Sequence, residues 1–295
     1  MSKISWDDDG SRLYETGCDR GVLFKKNGST YSSGVAFNGL TSVSDSPSGA
    51  EANKVYADNM NYLTLYSVEE FGGSIEAYDS PDEFDECDGL LEVAPGVLIS
   101  QQKRVGFGFS YRSLIGNDEV GSDYGYKIHL WWNCMATPSE HSHSTVNDSP
   151  EAETQSWEVT TTPINVDGYK PVSNMTIDST RVDAALLAAF EKILYGSDNS
   201  DSTLMLPAEV IAFFKNGITL TLSDDTATVA VNSTVTVTAT VTPTTATVSW
   251  SSSDTKVATV SDGVITGVGA GTATITASCG SVSATCEVTV TSVSA

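Results

Sequence analysis

A strict alternation of apolar and hydroxyl-bearing residues constrains the fold of this chain more than any other feature. In 234–241 (TVTVTATV) and 272–278 (TATITAS), every second residue is apolar. Successive side chains of a β-strand point to opposite faces, so this pattern predicts strands with one buried face. Pro243, Asp262-Gly263 and the glycine-rich stretch 267–271 interrupt the alternation. Short strands of β-branched residues between such turns are typical of a β-sandwich.

The same alternation occurs earlier in the chain with larger side chains. One set in 124–132 shares a strand face, and further alternating runs occupy 105–111, 71–78 and 157–160. The members of the first set are Tyr124, Tyr126, Ile128, Leu130 and Trp132. We expect antiparallel strands with one buried and one wet face.

Two helices are predicted between these β regions. The first is expected from about Arg181 to Tyr195, with Thr180 as N-cap, Asp183 in a capping box, and Gly196 after the last turn. The second is expected over 207–214, with Pro at its first position.

The chain changes composition near Asn216 and Gly217. It has 295 residues and a formal net charge of -23, long enough for two domains. Residues 1–216 hold 33 acidic and 14 basic residues, whereas 217–295 hold 5 and 1. We therefore predict a domain over 1–215 and a separate all-β domain over 216–295.

Charge and composition argue against several classes of protein. An excess of 38 acids over 15 bases disfavours a surface that grips nucleic acid or anionic lipid. Asp7, Asp8 and Asp9 stand where a signal peptide needs an apolar core, so neither export nor a membrane anchor is expected. Five irregularly spaced cysteines fit reduced thiols in a cytoplasm, without a disulfide framework.

Few residues suggest chemistry. His141 and His143, with His129 upstream, are a weak metal candidate against the simpler interpretation of a solvated loop. The acidic run from Glu76 to Asp88 lacks the spacing of a calcium loop, which favours a solvated turn or a short helix beginning at Pro81 over weak cation binding.

Three tryptophans are expected in the core or at subunit contacts: Trp131, Trp132 and Trp157. No catalytic motif is present, so we expect a protein that is not an enzyme and has no cofactor.

Residues 1–215 contain a series of motifs at 34–43 (GVAFNGLTSV), 46–52, 56–59, 70–78 (EFGGSIEAY), 81–84, 116–118, 123–126, 147–152 (NDSPEA) and 157–163 (WEVTTTP). With these motifs, the segment resembles the major tail proteins of long-tailed bacteriophages of Gram-positive hosts. The resemblance implies an antiparallel β-sandwich or barrel with a flanking helix. It also implies hexameric rings stacked into a tube that conducts phage DNA, with tape measure and terminator proteins as partners.

Residues 216–295 contain motifs at 241–243 (VTP), 248–254 (VSWSSSD), 257–260, 263–267 (GVITG) and 270–276 (AGTATIT). With these motifs, the segment resembles a group 2 bacterial immunoglobulin-like module. The resemblance implies a second β-sandwich, with Trp250 filling the core between its sheets. Cys279 and Cys286 share a strand parity, but a short turn through Gly280 places them off register, so no disulfide is predicted.

The leading hypothesis is a virion protein, made in the host cytoplasm, whose Ig-like domain decorates the outside of a tail tube and contacts host glycans or only stabilises the virion. A surface adhesin or carbohydrate-binding protein is the alternative. Within the tube hypothesis, edge-strand pairing or sandwich-to-sandwich packing forms the ring. Residues 36–66 are expected to include extended arms that contact a neighbour, with an ordinary mobile loop as the alternative. DNA passes without specific binding, and Glu70, Glu76 and Glu158 are the candidates for the acidic lining of the lumen.

Overall fold

The computed structural model describes residues 4–146, 148, 151–198 and 200–292. They form two compact units. The first is the chain up to Thr180 together with Asp201–Ala208, and the second is Arg181–Ser200 with the chain from Glu209 onward. This division differs from the boundary at 215–216 that composition suggests, because 181–200 clusters with the C-terminal strands. Residues 147, 149 and 150 of the 147–152 motif lie outside the described residues.

The N-terminal unit consists mainly of antiparallel strands. They are β1 (Tyr14–Asn27), β2 (Thr30–Tyr31), β3 (Val35–Phe37), β4 (Leu40–Asp45), β5 (Ala52–Ala57), β6 (Met60–Tyr66), β7 (Gly72–Ala77), β8 (Leu91–Ala94), β9 (Val97–Ile99), β10 (Phe107–Asn117), β11 (Gly121–Ala136), β12 (Gln155–Thr161) and β13 (Asn174–Asp178). A 3-10 turn (Asp82–Phe84) leads into the short helix α1 (Asp85–Asp88). Of the two structures expected from Pro81 onward, a solvated turn or a short helix, the chain forms the short helix.

One sheet of nine strands organises this unit. Its order is β2-β1-β10-β11-β12-β7-β4, with β3 also on β1 and β13 also on β11. The core contains Phe37, Ile75, Phe109, Trp131 and Trp157, which come from five strands of this sheet. Phe84 from the 3-10 turn joins them through edge-to-face contacts of 5.4 Å between ring centroids with Phe37 and with Trp157. All three tryptophans lie in the core, one of the two expected placements, since each is at most 1% exposed.

The prediction that each strand has one buried and one solvent-exposed face is correct for β7 and β12 and wrong for β10 and β11. β7 and β12 bury alternate residues, among them Ile75 and Trp157. In β10, however, all five residues of 107–111 are buried, and in β11 so are Leu130, Trp131 and Trp132. The second face is covered by 201–208, where Leu204 packs on Gly108 and the Met205 carbonyl accepts from Trp132 Nε1 at 2.9 Å. A strand covered on both faces loses its alternation.

The C-terminal unit is a β-sandwich with two helices. Its strands are β14 (Thr219–Leu222), β15 (Thr226–Ala230), β16 (Thr234–Thr236), β17 (Ala239–Thr242), β18 (Ser249–Ser252), β19 (Ala258–Ser261), β20 (Val264–Gly267), β21 (Gly271–Cys279) and β22 (Val282–Thr291). They form sheets of order β15-β22-β21-β18, β16-β20-β19 and β14-β17, with β15 parallel to β22. The main core holds Ile265, Ile275 and Val288, and Trp250 packs against it while half-buried.

The two helices are α2 (Ala184–Tyr195) and α3 (Pro207–Asn216). Thr180 is not the N-cap, because its backbone N–H and hydroxyl both donate to Asp178 Oδ1, at 2.9 and 2.7 Å. Asp183 caps α2 instead and accepts from the backbone N–H groups of Ala185 and Leu186. The end at Tyr195 and the first position at Pro207 agree with expectation, and α3 runs two residues further than predicted. Within the described residues, no helix is long and apolar enough to cross a membrane.

Both helices supply residues to the C-terminal unit. Ala189 of α2 and Phe213 of α3 join a second core with Leu220, Ala277 and Cys279. The Thr245 hydroxyl donates to the Ala189 carbonyl at 3.0 Å. Lys192 Nζ donates to Thr247 Oγ1 at 2.6 Å. The helix that sequence reasoning assigned to the first domain therefore packs on the C-terminal sandwich.

Candidate functional site

Strands β5 and β6 form a hairpin that pairs with no other strand in the described part of the chain. The turn residues Asp58 and Asn59 have φ of 50° and 63°, the left-handed pair that a two-residue hairpin loop requires. The large apolar side chains are all exposed: Val55, Tyr56, Met60, Tyr62, Leu63, Leu65 and Tyr66. A lone two-stranded hairpin is marginally stable in water, so this one is suited to gain a partner.

Sequence reasoning expected extended arms within 36–66, and the structure divides that segment in two. β4 is an edge strand of the nine-stranded sheet and pairs with β7. Only the part after Ser46–Gly49 projects as an arm, and it is the β5–β6 hairpin. Contact with a neighbouring subunit stays a prediction.

A second exposed hairpin, β8–β9, was missed by the sequence analysis. Its turn contains Pro95 and Gly96, with Gly96 at φ 74° and its N–H donating to Glu92 Oε1 at 2.8 Å. The exposed apolar side chains are Leu91, Val93, Val97, Leu98 and Ile99, which are 40 to 55% accessible. The available signal was a Pro-Gly dipeptide between two short apolar runs.

The base of the β8–β9 hairpin is held firmly. Arg104 donates to Asp88 Oδ1 at 2.9 Å, and both side chains are mostly buried. The backbone N–H of Gln102 donates to the Gly89 carbonyl, also at 2.9 Å. Because the base is tied while both strand faces are open, the hairpin presents its apolar side chains in a defined direction.

Large exposed apolar side chains are distributed unequally between the two units. Of 25 among the described residues, 23 lie in the N-terminal unit, and only Val264 and Val268 lie in the C-terminal unit. Contiguous exposed apolar surface marks interaction sites in soluble proteins. The N-terminal unit therefore carries the candidate assembly surfaces.

The three glutamates proposed for an acidic lining are placed as follows. Glu76 on β7 and Glu158 on β12 point to the same outer face, because Glu76 lies opposite Ser156 and Glu158 lies opposite Ser74. This diagonal places their Cβ atoms roughly 7 Å apart. Glu70 precedes β7, forms an isolated bridge with Ser48 and is exposed.

The same outer face is polar and lacks basic residues in its strands. Its other side chains are hydroxyls: Ser42, Ser44, Ser74, Ser156 and Thr160. The strand segments 40–45, 72–77 and 155–161 contain no Lys or Arg. A negatively charged polymer passing such a face finds no cation to bind within its strands.

The acidic run and the histidines have local partners. Asp88, the last residue of α1, accepts from Arg104 and lies 3.6 Å from His141 Nε2. His143 contacts Glu153 at 3.1 Å, and His129 lies elsewhere, stacked on Tyr111 at 4.4 Å. In the described part of the chain, no three metal-binding side chains come together.

All five cysteines are free. In the β21–β22 ladder, Cys279 lies opposite Val282 and Cys286 opposite Ile275, so the prediction of no bond is confirmed. Burial raises the pKa of Cys87 to about 12, which keeps this thiol protonated.

Comparison with known proteins identifies the C-terminal strands. Residues 219–290 match the model of the bacterial Ig-like domain (group 2). The C-terminal sandwich is a bacterial Ig-like domain. A comparison with curated protein sequences gave no match.

Two solved structures have limited similarity to this chain. One is the anti-feeding prophage baseplate, seen by cryo-EM with 6-fold symmetrisation, at 8% identity and a TM-score of 0.30, covering 59% of this chain and 97% of that one. The other is the surface layer protein SbsC, domains 1–6, at 12% identity and a TM-score of 0.24, covering 92% and 31%.

Proposed function

We propose that this chain is a self-assembling structural protein, the major subunit of a phage tail tube, with the Ig-like domain on the outside. The observation that carries the proposal is the concentration of exposed apolar side chains in the N-terminal unit, above all on the β5–β6 and β8–β9 hairpins. Burying this surface between copies would supply the main driving force for assembly. The resemblance to major tail proteins supplies the specific form, hexameric rings stacked into a conduit.

The polar face of β4, β7 and β12 supports the conduit part of the proposal. Duplex DNA carries about one negative charge per 1.7 Å, so an attractive contact repeated at each ring would resist sliding. A face of hydroxyls with Glu76 and Glu158 avoids that resistance. Tape measure and terminator proteins are the tail partners that the proposal requires, and the virion is its location.

Assembly is tested by electron microscopy and sedimentation of the purified full-length chain. We expect rings or tubes, with a lower critical concentration at high salt because screening weakens repulsion between acidic copies. The variant Tyr62→Ser/Leu65→Ser should raise the critical concentration at least about tenfold, since each apolar side chain contributes more than about 1.4 kcal/mol when buried. The matched control Val264→Ser/Val268→Ser, in the Ig-like domain, should assemble normally. Monomers under all conditions would refute the proposal.

The Ig-like domain also fits an adhesin or carbohydrate-binding protein. Its one aromatic residue, Trp250, packs against the core, so a glycan would contact hydroxyls and carboxylates on its surface. Many weak copies on one particle would act through avidity. Virions that lack 217–292 should assemble and adsorb less well to host cells. Unchanged adsorption would leave the domain a stabilising role only.

A further inference from the structure

We propose that the β8–β9 hairpin of one copy packs against the β5–β6 hairpin of the next, so that these two surfaces form one contact between subunits. This inference rests on the proposed self-assembly and names the two surfaces that meet. Both hairpins are two-stranded, pair with no strand of the nine-stranded sheet in the described part of the chain, and are mostly exposed on both faces.

Charge favours a second copy as the occupant of both surfaces. The chain has a net charge of -23, so most contacts between copies bring like charges together. Residues 52–66 carry only Lys54 and Asp58, and residues 90–101 carry only Glu92. The two hairpins are therefore nearly neutral regions on an acidic chain, where copies meet with little repulsion.

The charges that remain are complementary between the hairpins. Lys54 lies in the middle of β5 and is exposed, whereas Glu92 lies in β8 and is also exposed. Packing β5–β6 on β8–β9 brings an ammonium within reach of a carboxylate. Pairing β8–β9 with itself would instead bring two glutamates together.

The size of the apolar surface is also adequate. Tyr56, Tyr62 and Tyr66 are 66 to 71% exposed. Aromatic side chains bury about 150–250 Å² each, so these three provide on the order of 450 Å². Leu98 lies opposite Glu92 and shares its face, so it opposes them, and a matching area buried on β8–β9 brings the total towards the roughly 1,000 Å² expected of a specific interface.

Two different surfaces in one contact have a geometric consequence. A contact between unlike patches is heterologous, so it repeats from copy to copy and generates a ring or an open stack. Contact between identical hairpins would stop at a dimer. The presence of two unlike apolar hairpins on each copy therefore suits an assembly with many subunits.

Mixed disulfide cross-linking tests the pairing. Thr64→Cys, which lies opposite Lys54, and Leu98→Cys, which lies opposite Glu92, are assembled separately and together and then oxidised. The parent chain is the control, because four of its five cysteines are buried. We expect a covalent dimer chiefly in the mixture, at least about tenfold above either variant alone, as effective concentration requires. Dimers in a single variant alone would show self-pairing, and assembly without the mixed dimer would overturn the inference while the proposed function stands. A parent chain that does not assemble would overturn both.

Charge substitution gives an independent readout. Glu92→Gln keeps an oxygen that can accept from Gly96 N–H but removes the charge, and Lys54→Gln removes the opposite charge. Each should raise the critical concentration about 2- to 5-fold, the range of an exposed ion pair. The double variant should show no further increase if the two groups face each other. Additive effects would contradict the pairing.

Discussion

At the scale of single residues, the packing of His129 against its neighbours in the sheet sets both its hydrogen-bond partners and its pKa. It stacks on Tyr111, lies 2.9 Å from Ser113 Oγ, and is 3.4 Å from Thr176 Oγ1. Burial lowers its pKa from 6.5, against the opposing effects of Asp45 and Glu15. A residue proposed from sequence as part of a weak metal candidate is thus a packed side chain of the sheet.

The lowered pKa of His129 predicts a loss of stability in mild acid. The folded protein keeps the imidazole neutral, whereas the unfolded chain binds the proton below 6.5, so stability is present above that value and falls as the pH decreases. The free energy of unfolding should decrease between about pH 7.5 and 5.5. His129→Gln should lessen this decrease, measured by urea titration at both pH values. An unchanged pH dependence would contradict the assignment.

Asp183 is the residue on which the start of α2 depends. Asp183→Ala should reduce the stability of the C-terminal unit by about 1 kcal/mol, because two backbone N–H groups lose their acceptor. Calorimetry should show a decrease of about 4 °C in its unfolding temperature. Asp183→Asn, which keeps the acceptor oxygen, is the control and should change it little. Equal losses in both variants would indicate that charge and not capping is responsible.

At the scale of elements, helices α2 and α3 pack on the Ig-like domain through Ala189, Phe213 and Leu220. Residues 201–208, between the two helices, instead pack in the N-terminal unit. The chain therefore passes between the units more than once. Cutting the chain at one position therefore does not divide it into the two units, because each unit is made of two segments.

Truncation after Lys215 tests this arrangement. It removes the strands that cover Ala189 and Phe213, so amide hydrogens in α2 should exchange at least about tenfold faster than in the full chain. Peptides of β10 and β11 should remain protected, because 201–208 is retained. Normal protection of α2 in the truncated protein would show that the helices do not need the sandwich.

At the scale of the whole molecule, the acidic charge is not concentrated on the two exposed apolar hairpins. The acidic excess belongs to 1–216, yet both exposed hairpins in that region are nearly neutral. The proposed assembly thus uses its neutral surfaces for contact between copies and leaves carboxylates such as Glu76 and Glu158 on a polar face.

Reversal of the acidic face tests its proposed role in the lumen. A virion carrying Glu70→Lys, Glu76→Lys and Glu158→Lys should assemble but eject its genome more slowly, because each ring would then attract DNA. Glu287→Lys, on an exposed position of the Ig-like domain, is the control and should eject at the parent rate. Unchanged ejection by the triple variant would show that these residues do not face the passing DNA.

Sequence alone predicted several of the elements, because strand alternation and turn residues depend on neighbours along the chain. Alternation predicted β7, β12 and β21, and Gly196 was placed at the end of α2. A short turn through Gly280 placed Cys279 and Cys286 off register although they share a strand parity. Only the tertiary structure decided which faces are buried. Leu204 covers a face of β10 from a distance of nearly 100 residues, and no local pattern contains that contact. The tertiary structure also decided that β8–β9 is exposed, because a short apolar run has the same sequence pattern in a buried strand as in an exposed one.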